Sequence, residues 1–202
     1  MSWSEEQADR WLNWWQVGYW QQAESSWQEN SFFTLPVEQQ QSLAWQYPQA
    51  VAAAFGISPD LPPEPEPRLL AFIDLPAGER TRLLALLAGI CAPRAAPETL
   101  SAASLIWCRR LAKALRCESW LSADCFLPWT TGSLLLLRGL SAESWPRLRL
   151  FFPQEWVKQV DEYPAVALPF SRLTALWDAA IWQIQQPESP THVDPQENNP
   201  AE

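Results

Sequence analysis

The sequence predicts an all-α protein, an irregular bundle of roughly seven to nine helices with a Pro-rich connector and a disordered C-terminal tail. Three observations lead there. Leu, Ala, Gln and Glu abound while Val and Ile are sparse, which favours helix over strand. Apolar residues recur at helical spacing along most of the chain. No stretch alternates β-branched and polar residues as a half-buried strand would.

The first element opens at Ser4, which forms a capping-box pattern with Gln7, and Glu5 and Glu6 suit the positive end of the helix dipole. On a helical wheel Trp3, Ala8, Trp11, Leu12, Trp14, Trp15, Gly18 and Tyr19 share one arc, opposite Glu5, Glu6, Asp9, Asn13 and Gln16. Trp20 falls on the polar side, so the helix is expected to end near Gly18. Further helices are expected at 37–46, at 48–55 closed by Gly56, and at 76–91 with Pro76 in the first turn. Pro97 is expected to open a helix over 97–117, with Leu100, Ser104, Trp107, Leu111 and Leu115 at helical spacing. Thr130 or Thr131 would cap a helix over 132–140, and Ser141 or Ser144 the next, which carries Trp145, Leu148 and Phe151 or Phe152. A last helix, 169–186, presents Phe170, Leu173, Leu176, Trp177, Ala180, Ile181 and Ile184 on one arc.

Charge and proline divide the chain. Residues 1–56 form a Trp-rich acidic helical part, and 57–68 (ISPDLPPEPEPR) a connector in which Pro excludes helix and central strand. Residues 69–186 form a Leu-rich, mildly basic helical part expected to pack with 1–56 as one unit. Residues 187–202 hold four acids and no Lys or Arg, and read as a disordered tail.

Composition limits the chemistry. The 202 residues are 48% hydrophobic and 18% charged, the balance of a globular chain, and the net charge of −9 argues against nucleic acid as a partner. The single His, His192, lies in the tail, which excludes His-based triads and His-ligated metals from the folded part. Six scattered Gly leave no phosphate-cradling loop. Cys91, Cys108, Cys117 and Cys125 show no Cys-x-x-Cys spacing and read as free buried thiols in a reducing compartment. The acidic N-terminus does not resemble a secretory signal, and the longest apolar run, Leu83 to Ala92, is too short for a bilayer, so no direct membrane insertion is expected. Asp161 with Glu162, and Glu64 with Glu66, form no credible acid–base pair. No catalytic residue, cofactor or metal is expected.

Two features could carry binding. Fourteen Trp exceed the apolar patch that a soluble surface tolerates, so most are expected to be buried, in the core or against a partner. Trp107, Trp145 and Trp177 read as core. Trp11, Trp14, Trp15, Trp20 and Trp27 crowd a Gln-rich segment with few aliphatic neighbours, where an interface use is about as probable as core. The second feature is the basic face of the 97–117 helix: Arg109, Arg110, Lys113 and Arg116, with Ile106 as an apolar centre. It reads as a solvated face, or as a docking site for an acidic partner or for the chain's own acidic N-terminal part.

The run LLALLAGICA, the helix ending LIWCRRLAKAL with its Arg109-Arg110 pair, and GSLLLLRGLSAESWPRLRLFFP with Trp145-Pro146-Arg147-Leu148-Arg149-Leu150 closing at Pro153 resemble the K-subunit family. These are the sorting-platform accessory subunits of bacterial type III secretion injectisomes. The resemblance covers about residues 80–155 and leaves the Trp-rich N-terminus without a counterpart. It implies a helical, cytoplasmic, non-enzymatic adaptor that joins cytosolic sorting-platform pods to the cytoplasmic domain of the inner-membrane ring, held at that membrane through protein contacts. A type III secretion chaperone, or another helical interaction module, is the alternative. An enzyme built on Cys108 or Cys117 beside the basic face is a third reading.

Overall fold

Ten consecutive residues from Leu83 to Ala92 are almost wholly apolar, and a helix apolar on all sides must be enclosed. The computed structural model of the chain, which describes residues 3–164 and 167–186, encloses it. Ten α-helices and six short 3-10 turns appear among the described residues, and no strand. The helices are α1 (Glu5–Gln16), α2 (Val37–Gln46), α3 (Pro48–Ala54), α4 (Pro67–Ile73) and α5 (Ala77–Cys91), followed by α6 (Ala102–Leu115), α7 (Trp129–Leu140), α8 (Trp145–Leu148), α9 (Gln154–Asp161) and α10 (Phe170–Gln185). α5 is the central pillar. Its residues from Leu83 to Cys91 are buried, and α6, α7 and α10 pack around it. α9 packs on α7, and α4 on α10.

Two glycines permit close helix packing. A Cβ on Gly89 of α5 would lie 3.0 Å from Cys108 Sγ and from a Leu100 methyl, so α6 can approach α5 only because Gly stands there. A Cβ on Gly132 of α7 would overlap the buried Phe126 ring.

The N-terminal part shares this core. Trp11, Trp14, Trp15, Tyr19 and Trp20 join the same buried cluster as the leucines of α5 and α7. The 24–27 turn is stitched to 150–154: Glu24 N donates to Leu150 O at 2.8 Å, Trp27 Nε1 to Phe152 O at 2.8 Å, and Gln154 Nε2 to Ser26 O at 2.7 Å. The acidic and basic parts do meet, though hardly through carboxylates. Arg147 lies 3.7 Å over Trp15 and donates from Nε to Trp15 O at 2.9 Å. Arg149 donates to Phe55 O at 2.8 Å, and Arg80 donates from Nη2 to Gln22 Oε1. The one ion pair between the two parts seen among the described residues, Arg10 with Asp74 at 2.9 Å, runs opposite to their net charges.

Several sequence expectations need correction. The Ser4–Gln7 capping box is present, but α1 stops at Gln16 and Gly18–Trp20 forms a 3-10 turn. That change of pitch swings Trp20 inward, where a continued α-helix would have turned it to solvent, while Leu12 is exposed. The helix after Pro97 begins only at Ala102, because Ser101 Oγ accepts from Ser104 N at 3.2 Å and so caps it. The connector ends earlier than expected: Glu66 caps α4 and Pro67 occupies its first position, where the missing N–H is harmless. Pro128, not a threonine, precedes α7, and no side chain caps α8. Helix α9 was not foreseen. The tail expected to be disordered, 187–202, lies outside the described residues, as does His192.

Candidate functional site

Arg109 and Lys113 of α6, and Arg116 just past its end, stand about one turn apart along the chain, with Arg110 beside Arg109. The last turn of α6 bears Lys113, where the helix dipole favours positive charge. The helix ends at Arg116, which sits in the left-handed region with φ 48 and ψ 51. A non-glycine residue there stores about 1 kcal/mol, and local bonds hold it. Arg116 N donates to Ala112 O at 2.9 Å, while Arg116 O accepts from Ser119 N at 2.9 Å and Ser119 Oγ at 2.7 Å. Arg172 of α10 clamps the same hydroxyl at 2.7 Å.

This turn drives Cys117 into the core beside Cys91, at the C-terminal end of α5. Between the ends of α5 and α6 opens a cleft of about 640 Å³. Ile90, Cys91 and Pro93 form one wall and Arg109, Ala112, Lys113 and Arg116 the other, with Cys117 and Glu118 closing it. The three cations are exposed, and among the described residues none of them makes an ion pair. The result is a groove with apolar residues in its walls and a cationic rim.

The thiols differ sharply. The Cys91 thiol is held well above its ordinary range, first by its hydrogen bond to Cys117 and then by burial. The Cys117 thiol is shifted down, chiefly by that same bond, with Arg172 assisting. Burial pushes the Cys108 thiol up to about 12, and it donates to Leu86 O at 3.7 Å. Cys108 is therefore a packing residue, facing Gly89 and not the cleft.

Of the residues singled out in the sequence, Arg109, Lys113 and Arg116 converge on the cleft. Arg110 and Ile106 are exposed on α6 but outside it. Trp11, Trp14, Trp15 and Trp20 are each no more than 4% exposed, covered by their own chain. Trp145 and Trp177 are buried as expected, and Trp107 is half-buried. The exposed indoles are instead Trp45 and Trp182. Cys117 lies beside these cations, as one reading of the sequence had it, and Cys108 does not; Cys91 was missed as a cleft residue because only the turn at Arg116 brings it beside Cys117.

Other chemistry has little support in the geometry. Asp161 accepts from Trp145 Nε1 at 3.0 Å, and Glu66 caps α4 and pairs with Arg68 at 2.8 Å. Among the described residues no three of His, Cys, Asp and Glu converge as metal donors. None of the described helices is long and apolar enough to cross a membrane. No family model, curated protein or solved structure matches the chain.

Proposed function

We propose that the protein is a non-enzymatic helical adaptor that docks an acidic segment of a protein partner in the α5–α6 cleft. One observation carries this reading: three cations without ion-pair partners among the described residues rim an apolar groove held open by two packed helices. A partner carboxylate there would gain charge-assisted bonds while an aliphatic side chain covers Pro93 and Ala112.

The secretion apparatus is the setting that the resemblance suggests, with ring and pod components as partners and the cytoplasmic face of the inner membrane as the place. The Arg109-Arg110 and Trp145–Leu150 motifs support it. A secretion chaperone fits less well, since those proteins mix strands with helices and no described residue here is in a strand. The test is capture of ring and pod components by the full chain carrying Arg109→Glu, Lys113→Glu and Arg116→Glu. Loss of capture with an unchanged circular-dichroism spectrum is expected, and undiminished capture would remove the docking assignment.

A further inference from the structure

The Pro-rich connector does not simply span two helical parts; it lies in a groove. Trp11 Nε1 donates to Pro63 O at 3.2 Å, and Trp15 Nε1 to Asp60 O at 3.3 Å. The two indoles stand one α-helical turn apart on α1, and the two carbonyls stand three residues apart, one turn of a polyproline II helix. From Leu61 on, exposure follows the same period: Leu61, Glu64 and Pro67 face solvent, while Pro62, Pro63, Pro65 and Glu66 are half-buried; Asp60 before them is exposed. An aromatic face with indole N–H groups aimed at carbonyls of a three-residue-period segment is the general geometry by which proline-rich peptides are bound. The seat is incompletely filled, because a cavity of about 310 Å³ remains between the segment, Trp15, Arg147 and α3.

We infer that the Trp11–Trp15 face is a polyproline-peptide site whose resident ligand is the chain's own 60–66 segment, and that a partner's proline-rich segment of Leu-Pro-Pro-x-Pro type can take its place. The ligand class follows from the occupant. Pro62, Pro63 and Pro65 bring no N–H that would need a partner in the groove, and their pre-set φ lowers the entropy lost on docking. Cis occupancy at high effective concentration keeps the site closed to weak competitors, so only a segment that binds better or is locally concentrated opens it. This site is separate from the α6 cleft and does not depend on what docks there.

The test uses the full chain with Pro62→Ser, Pro63→Ser and Pro65→Ser, isotope-labelled on the indole nitrogens. The probe is a synthetic peptide of residues 58–68, with a second peptide carrying Ala at the same three prolines. The expected result is that the Trp11 and Trp15 indole signals of the variant depart from wild type, and that the proline peptide returns them saturably while the Ala peptide does not. Equal response to both peptides, or none, overturns the inference. Should the variant fail to fold, indole proton exchange in the wild-type chain decides. Trp11 and Trp15 should exchange at least about tenfold more slowly than exposed Trp45, and should lose that protection on adding excess proline peptide. Protection that the peptide leaves intact contradicts an exchangeable site. Wild-type dimers showing the same indole shifts would assign the groove to a second copy and not to a partner.

Discussion

Replacing Arg147 with Ala should unfold the chain more readily than any other single cation removed. Arg147 of α8 is buried against the N-terminal aromatic rings, with its guanidinium 3.7 Å over Trp15 and 5.6 Å from Tyr19. Its Nε bond to Trp15 O, 2.9 Å, is a charged donor meeting a buried carbonyl, an arrangement worth about 1.5–3 kcal/mol. A desolvated cation over an indole adds up to about 2 kcal/mol. Truncation also empties the space of the side-chain stem, at about 0.8 kcal/mol for each buried methylene. Against these stands the desolvation of the charge, which the alanine variant no longer bears and which lowers the affinity of Arg147 for its proton. A net loss of about 3 kcal/mol is expected, a fall in Tm of roughly 6–12 °C for a chain of this size. Thermal and urea unfolding followed by far-ultraviolet circular dichroism read it directly. Arg147→Lys keeps the charge but not the planar face, and should recover less than half of the loss. An alanine variant within about 1 kcal/mol of wild type would refute the view that this arginine clasps the two parts together.

Three further outcomes follow from buried groups. Burial pushes the Tyr19 hydroxyl up to about 12 from 10.0, so stability linked to its proton is complete below pH 10 and fades as pH rises toward 12. The hydroxyl is buried without a hydrogen-bond partner, so Tyr19→Phe should be neutral or stabilising at about pH 7, and wild type should lose about 3 kcal/mol relative to it across that window; a constant difference would show that the phenol does not titrate with unfolding. Gly132→Ala forces a methyl into the Phe126 ring and should lower stability by about 1–3 kcal/mol in urea titrations; a neutral change would mean that α7 and the 123–126 turn are loosely packed. Native alkylation at pH 8 should reach half-buried Cys125 first and spare Cys108, whose thiol sits at about 12, until the chain unfolds. Early modification of Cys108 in mass spectra would contradict its packing against Gly89.

What the sequence made legible was local. Pro36 before α2, and the Tyr47-Pro48 step between α2 and α3, bound those helices with signals that act within a few residues. The Leu run announced a buried helix by composition alone. The cationic stripe of α6 was visible in spacing, because residues four apart share a face wherever a helix forms. The cleft was not visible, since it needs the end of α5 beside Arg116 in a left-handed turn that no glycine announces. Helix α9 was hidden because Trp156, Val157 and Val160 are its only large apolar residues and it follows an aromatic-Pro step. Trp20 was left open between core and interface, because an α-helical wheel does not carry across the 3-10 turn that buries it. The connector was recognised as extended, but its indole partners lie 45 and 52 residues away, beyond any local signal.

The docking claim rests on which arginine of the adjacent pair matters, because Arg109 lines the cleft and Arg110 does not. Calorimetric titration of the captured partner against Arg109→Glu and Arg110→Glu, at two salt concentrations, separates a seated acidic segment from general attraction to a basic helix. Affinity should fall at least about tenfold for Arg109→Glu and less than threefold for Arg110→Glu, about 1.4 against under 0.7 kcal/mol. Equal losses at the two positions, vanishing together in salt, would mean that the cleft holds nothing.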